Sequence, residues 1–230
     1  MKKIFVLLMT FNVLIAACQT TKKISQKNKS GMNNTEKGGV VGASSGAVIG
    51  GIIGNKNNNT ALGAILGATV GGTVGVIIGN KMDRQAKKIA DELGKTATVE
   101  RVGEGIKVTF DSQLLFDFGK TDLKQSNIQD LQKLAETLKQ YPDTELLIIG
   151  HTDNVGSVSF NQVLSKKRAS AVSYQLSSTG VSNSRLIVKG KGEYQPTTSN
   201  DTEISRSQNR RVEIAIYANK KMKSEAKNEI

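Results

Sequence analysis

From residue 106 onwards, apolar positions follow first the period of a strand and then that of a helix. Ile106, Val108 and Phe110 alternate with polar residues, which predicts a strand with one buried face. Apolar residues then recur every three or four positions until Pro142 ends the pattern, which predicts an amphipathic helix. The residues with this spacing are Ile128, Leu131, Leu134, Ala135 and Leu138.

A second strand and a second helix follow. Residues 146–149 are apolar throughout and the run ends at Gly150, which is typical of a strand covered on both faces. The next helix is predicted to begin after an N-cap serine, Ser157 or Ser159. The order β-α-β-α-β-β predicts an α+β fold, a two-layer sandwich of two helices on one mixed sheet. The last two strands of this order are residues 186–188 and 212–216.

Two oppositely charged residues follow the central strand. Asp153 lies just beyond the end of that strand, where open α/β sheets tend to bind ligands. On the next helix, Asn161 and Arg168 are seven residues apart and therefore lie about 20° from each other. A buried arginine must be paired or solvated, because an unpaired buried charge costs several kcal/mol. Two interpretations are open: Arg168 binds a ligand carboxylate, or it forms a salt bridge with Asp153 and there is no ligand.

Ordered motifs extend over about half of the chain. They are L-F-D-F (residues 115–118), G-H-T-D (150–153), the helix positions Asn161, Leu164, Ser165, Arg168 and Ala169, then Gly180, Arg185 and Gly190, and finally N-R-R-V-E-I (209–214). In this order they resemble the carboxy-terminal domain of the OmpA-like family, which includes the peptidoglycan-associated lipoproteins. The resemblance covers residues 106–217 and places the domain at 97–218. It implies the same sandwich fold that the strand and helix pattern predicts.

The resemblance also implies a ligand. The family binds peptidoglycan noncovalently through the diaminopimelate residue of the stem peptide. Carried over by motif position, Asp153 meets the diaminopimelate ammonium and Arg168 meets its carboxylate. The other residues implied at this site are Asn161, Leu164, the backbone near Phe118, and Arg210 or Arg211.

The first 17 residues have the composition of a leader. Two lysines precede an apolar run that is too short for a membrane span, and the chain then reads L-I-A-A-C up to Cys18. This resembles a bacterial lipobox, whose cysteine receives a diacylglycerol thioether and becomes the first residue of the mature protein. The alternative is an ordinary signal peptide with a chance cysteine. Gln19 resembles an outer-membrane sorting signal, and residues 18–37 have the polar composition of a disordered tether.

Residues 38–81 carry glycine at every fourth position in two arms. Because glycine disfavours helix by about 1 kcal/mol per residue, the repeat indicates helices whose backbones pack closely. The segment resembles the glycine-zipper segments of outer-membrane lipoproteins, and it is either a membrane-embedded or oligomerising hairpin or a soluble hairpin packed on itself or its neighbours. Residues 82–96 are predicted to be a charged helical connector, and residues 219–230 to be disordered. The repeated glycines are 42, 46, 50 and 54, then 63, 67, 71, 75 and 79.

The composition limits the classes of function that this protein can have. The formal charge is +12, and removal of a leader with two lysines leaves +10, which favours an anionic partner such as the cell wall or lipid headgroups. Nucleic acid is not expected, because only 4% of residues are aromatic and no nucleic-acid motif occurs. One histidine and one cysteine cannot build a catalytic triad or a zinc site, so neither a metal nor a cofactor is expected. A hydrolase that pairs Asp153 with Glu193 or Asp201 is the enzymatic alternative.

The sequence therefore predicts an outer-membrane lipoprotein, not an enzyme, whose periplasmic domain binds peptidoglycan and links the membrane to the wall. In the alternative, the glycine segment is the functional part, as a membrane-structural or oligomerising element, and the domain only positions it. A homo-oligomer is compatible with both hypotheses.

Overall fold

The computed structural model describes residues 59–117 and 119–230. The predicted leader, the predicted lipidation site Cys18, the predicted tether, the first glycine arm and Phe118 lie outside the described residues.

Five strands form one mixed sheet in the described part of the chain. In chain order they are β1 (Thr98–Val102), β2 (Gly105–Asp111), β3 (Thr144–Gly150), β4 (Leu186–Gly190) and β5 (Arg211–Ala218). Across the sheet their order is β1-β2-β5-β3-β4. All neighbours are antiparallel except β3 and β4, which are parallel.

Helices precede, connect and follow the strands. Ser157 is the N-cap of the longest connecting helix, as one of the two predicted starts requires, and its side chain accepts a hydrogen bond from the Phe160 amide at 3.2 Å. In chain order the α-helices are α1 (Thr60–Ala68), α2 (Gly72–Leu93), α3 (Ser112–Leu115), α4 (Gln125–Gln140), α5 (Val158–Ser178), α6 (Glu203–Asn209) and α7 (Lys220–Asn228), and a 3-10 helix covers Asn183–Arg185.

The predicted α+β fold is confirmed, and from β2 to β5 the strands and the long helices α4 and α5 follow the order β-α-β-α-β-β, with the short helices α3 and α6 inserted. Strand β1 was not predicted. Its apolar residues, Val99 and Val102, are three positions apart and so do not alternate, and none of its side chains is fully buried. It pairs with β2 across a tight turn in which Gly103 has a φ of 52°.

One face of the sheet carries the main core. Alternate side chains of the central strands point to this face, where α2, α4 and α5 pack against them. The largest buried residues from the helices are Ile78, Met82, Ile89, Leu131, Leu134, Leu138, Val172 and Leu176, and those from the strands are Val108, Phe110, Leu146, Ile148, Ile214 and Ile216.

Helix α1 covers the other face of the central strands. Its Ile65 packs in a second cluster with Leu147, Ile149 and Ala215. Gly105 permits this contact, because a Cβ there would lie 2.5 Å from the Ile65 side chain. The apolar run of β3 is therefore explained by a helix on each side, and the sandwich has a third layer at this point.

The second glycine arm does not continue as one helix. It bends between α1 and α2, where Gly71 and Gly72 have φ values of 74° and 63°. The Glu104 carboxylate holds the bend by accepting hydrogen bonds from the amides of Val70 (2.8 Å) and Gly71 (2.7 Å). Among the described helices, none combines the length and the apolar character that crossing a membrane requires.

Two segments differ from their predictions, because each forms a helix that buries one face in the main core. Helix α2 runs through the predicted connector and buries Ile89 and Leu93 in the main core, so residues 82–96 do not form a separate linker. Helix α7 occupies the tail predicted to be disordered, and its Met222 and Ala226 are buried in the same core. Two apolar residues four positions apart among lysines are too weak a pattern to predict a packed helix.

Candidate functional site

Two glycines fix the helix that carries the candidate site residues. Gly150 and Gly190 pair in register at the ends of β3 and β4. A Cβ at Gly150 would overlap the carbonyl oxygen of Ser165, and one at Gly190 would lie 2.6 Å from the Lys166 amide nitrogen. Helix α5 therefore lies directly on the carboxyl ends of both strands, which holds its side chains close to the loop that follows β3.

Asp153 lies in that loop and is 7% exposed. Its Oδ2 atom is 2.5 Å from Nη1 of Arg210, and its Oδ1 atom accepts a hydrogen bond from the Val155 amide at 3.1 Å. The Nη2 atom of Arg210 is 2.5 Å from Oε1 of Glu203. Desolvation opposes the charge of Arg210, but its bonds to these two carboxylates outweigh that effect and raise its pKa. The partner of Asp153 in the structure is thus Arg210, and not Arg168 as the ligand-free interpretation required.

Arg168 is buried, with 5% of its surface exposed. Its Nε atom donates to the Lys120 carbonyl oxygen at 3.1 Å, and its guanidinium carbon lies 5.2 Å from the centre of the Phe116 ring. Burial lowers the pKa of Arg168, the charge of Arg210 lowers it further, and Asp153 raises it. Among the described residues, no carboxylate lies within ion-pair distance of this guanidinium. Because an arginine stays protonated at neutral pH, the site holds a buried cation without an anion.

Asn161 connects the start of α5 to two acidic residues. Its Nδ2 atom donates to the Asp153 carbonyl oxygen at 3.3 Å and to Oε2 of Glu193 at 2.7 Å. Asn161 is 1% exposed, and Leu164, one turn further along α5, is half-buried. The sequence singled out Glu193 only as one member of a hypothetical hydrolytic pair. Its position after Gly190 and Gly192 was the available signal, because closely spaced glycines mark a backbone that approaches another element.

Arg211 is not part of this group. It begins β5, and its Nε atom is 2.8 Å from Oε1 of Glu213. Glu213 also lies 3.7 Å from Nε2 of the buried His151. Burial opposes ionisation of Glu213, but His151 and the charge of Arg211 outweigh it and lower the pKa of Glu213 to about 2. Of the two arginines that the family resemblance implied, the structure brings only Arg210 to Asp153.

The cluster of Arg211, Glu213 and His151 makes folding sensitive to acid. The pKa of Glu213 is lowered from 4.5 to about 2, and burial lowers the pKa of His151 below 6.5. Both groups therefore bind protons more readily in the unfolded chain, so the stability they contribute is complete above pH 6.5 and is lost as pH falls towards 2.

Urea unfolding between pH 7 and pH 3 is expected to show this decline in the free energy of unfolding. In Glu213→Gln the decline below pH 4.5 should be shallower, whereas Glu136→Gln, at an exposed pair with Lys139, should follow the parent profile. An unchanged slope in Glu213→Gln would contradict the assignment.

The fold and the site together define a class: an α+β domain with a charged, buried site at the strand ends. Residues 115–210 match the OmpA family, and residues 1–83 match the YMGG-like Gly-zipper family. The chain therefore carries an OmpA-family domain preceded by a glycine-zipper segment, which confirms the OmpA-like resemblance and the glycine-zipper resemblance.

Named relatives share this domain. The chain is 37% identical over 136 residues to "Probable lipoprotein YiaD" of Escherichia coli (strain K12), which is 59% of this chain and 62% of that protein. It is 41% identical over 86 residues to "Peptidoglycan-binding protein ArfA" of Mycobacterium tuberculosis (strain CDC 1551 / Oshkosh), which is 37% of this chain and 26% of that protein. Both matches span less than two thirds of the relative. The solved structure of the cell wall anchor of the T6SS from Pseudomonas aeruginosa superposes with a TM-score of 0.54 at 27% identity, covering 60% of this chain and 99% of that one.

Proposed function

We propose that this protein binds peptidoglycan noncovalently through the diaminopimelate residue of the stem peptide and links the outer membrane to the wall. The observation that carries the proposal is the buried Arg168 guanidinium, which has no carboxylate partner among the described residues and is close enough to Asp153 and Arg210 for their charges to act on it. A free amino-acid group of a ligand presents a carboxylate and an ammonium on one carbon. Arg168 would bind the carboxylate in a bidentate manner, and Asp153 would receive the ammonium.

The site is prepared for such a ligand before the ligand arrives. Arg168 is held by the Lys120 carbonyl and lies over the Phe116 ring, so little side-chain entropy is lost on binding. The guanidinium is already largely desolvated, and a ligand carboxylate would supply the countercharge that the fold leaves out. Each charge-assisted hydrogen bond contributes about 1.5–3 kcal/mol, so a single site is of weak to moderate affinity. Many copies anchored on one membrane would raise the overall retention through effective concentration.

The names of related proteins support the proposal. One relative is named a peptidoglycan-binding protein, another a lipoprotein, and the superposed structure is a cell wall anchor. The lipid anchor is proposed at Cys18, on the resemblance of L-I-A-A-C to a lipobox. This arrangement would hold the domain in the periplasm. The glycine segment would lie between anchor and domain, where it could also mediate homo-oligomers.

Co-sedimentation with purified sacculi tests the proposal. The mature chain, residues 18–230 with Cys18→Ser, is expected to pellet with sacculi that contain meso-diaminopimelate, and free meso-diaminopimelate should displace it. Sacculi with lysine at the same stem position are the control and should retain much less protein. If neither kind of sacculus retains the chain, the alternative applies, in which the domain only positions the glycine segment.

A further inference from the structure

The Asp153 carboxylate is already occupied in the folded protein. One of its oxygens pairs with Arg210 at 2.5 Å and the other accepts the Val155 amide at 3.1 Å. Its negative charge is therefore offset in part before any ligand binds, because Arg210 divides its single positive charge between Asp153 and Glu203. A cationic ligand group at this residue would have to share the carboxylate with Arg210, and the like charges would repel each other.

A second carboxylate, that of Glu193, is held next to the Asn161 side chain by a rigid turn. The Gly192 carbonyl oxygen accepts from the Thr152 amide at 2.9 Å, and the Gly192 amide donates to Oγ of the buried Ser165 at 2.9 Å. Gly192 has a φ of 53°, a conformation that side chains disfavour. The turn is thus attached to the β3 loop on one side and to α5 on the other, which fixes where the next residue lies.

Glu193 differs from the other acidic residues around the site in having no cationic partner. Asp153 and Glu203 pair with Arg210, and Glu213 pairs with Arg211. Glu193 is half-buried and accepts the Asn161 amide at 2.7 Å, but within the described ranges no Lys, Arg or His nitrogen lies within 4 Å of it. The site therefore contains one unpaired anion, Glu193, together with one unpaired cation, Arg168.

The helix dipole alone does not account for this carboxylate. A carboxylate near the start of a helix is stabilised mainly by free backbone amides of the first turn. The first turn of α5 already has a cap in Ser157, and the Asn161 amide is bonded to the Ser157 carbonyl at 2.9 Å. The bond of Glu193 goes to the Asn161 side chain, whose nitrogen also bonds the Asp153 carbonyl oxygen. Glu193 is thus oriented towards the ligand residues and not towards unsatisfied helix amides.

We propose that Glu193 is a specificity-determining residue of this site: together with Asp153 it receives the ammonium group of the ligand whose carboxylate binds Arg168. The inference rests on the proposed function and adds a residue to it. A site with one unpaired charge of each sign selects ligands that carry a free ammonium beside a free carboxylate. It rejects ligands of the same length and carboxylate content that lack the ammonium.

The test compares Glu193→Gln with the parent in the mature chain carrying Cys18→Ser. Glutamine keeps an oxygen acceptor for Asn161 and removes only the charge. Two probes of equal carbon number are titrated by NMR: meso-diaminopimelate, and pimelate, which has both carboxylates and no ammonium. The variant is expected to bind meso-diaminopimelate about tenfold more weakly or worse, and to bind pimelate as well as the parent does or better.

Three outcomes would overturn the inference. Equal weakening for both probes would make Glu193 a structural support of Asn161, and an unchanged affinity for meso-diaminopimelate would remove it from the site. If the parent chain itself binds no meso-diaminopimelate, that result contradicts the proposed function, and with it the inference, whatever the variant does. Glu136→Gln, at the exposed pair with Lys139 (2.9 Å), is the matched control and should leave both affinities unchanged.

Discussion

Replacing Arg168 with alanine is expected to abolish retention of the mature chain on sacculi. The substitution removes the buried cation that has no anion among the described residues, and with it the two charge-assisted bonds that we propose to the ligand carboxylate. At about 1.5–3 kcal/mol per bond, the loss corresponds to a factor of about 100 or more in affinity. The fraction of protein that pellets with sacculi measures the effect, and circular dichroism establishes that the fold is kept.

Two further variants make this result specific. Lys167→Ala removes a positive charge from the exposed neighbouring position and should pellet like the parent. Arg168→Lys keeps the charge but loses the bidentate geometry, so it should retain an intermediate fraction. Retention of Arg168→Ala at the parent level would rule out Arg168 as the carboxylate ligand.

Removing the residues before 97 is expected to unfold the domain. Helix α2 lies within this segment and buries Ile78, Met82, Ile89 and Leu93 in the main core. Truncating one such side chain typically costs about 2–5 kcal/mol, so the loss of four costs about 8–20 kcal/mol, which is as large as the whole 5–15 kcal/mol that stabilises an ordinary domain. Urea unfolding of a fragment 97–230 should therefore show no cooperative transition.

The matched control for this prediction begins at residue 59 and keeps α1 and α2. It should unfold cooperatively, because both faces of the sheet remain covered. A fragment 97–230 with the same unfolding midpoint as 59–230 would show that α2 is dispensable. The family match begins at residue 115, so a boundary chosen from that match alone would cut through the core.

The sequence predicts elements well where one period dominates. The alternation of β2, the helical spacing of α4 and the Ser157 cap of α5 all correspond to what the structure contains. Asp153 and Arg168 stand out as charges beside apolar elements. The pattern does not predict which residues pair with Asp153 and Arg168, because such pairs form between residues far apart in the chain.

Arg210 and Arg211 illustrate this limit. They are adjacent and chemically identical, so their different surroundings depend on where α6 ends and β5 begins. Arg210 caps α6 and pairs with Asp153, whereas Arg211 is the first residue of the strand and pairs with Glu213. A shift of one residue would exchange their roles, and boundaries of this accuracy are not encoded in hydrophobic periodicity.

The glycine repeat illustrates a second limit. Its spacing indicates close backbone packing but does not identify the element that is packed against. In the described part, Gly105 of β2 admits Ile65, and the bend at Gly71 receives the Glu104 carboxylate, so the second arm is joined to the sheet. Sequence alone assigned this arm to a separate hairpin, because the contacts of the arm are with strands that come later in the chain.

The most direct test of the central claim is an NMR titration of the mature chain, carrying Cys18→Ser, with meso-diaminopimelate. The account predicts saturable shifts of the Arg168 Nε–H, the Asn161 side-chain amide and the backbone amides next to Asp153. Signals of the Arg211 and Glu213 pair on the strand should stay in place. Saturable shifts at other residues, or none at all, would contradict the assignment of this site as the ligand pocket.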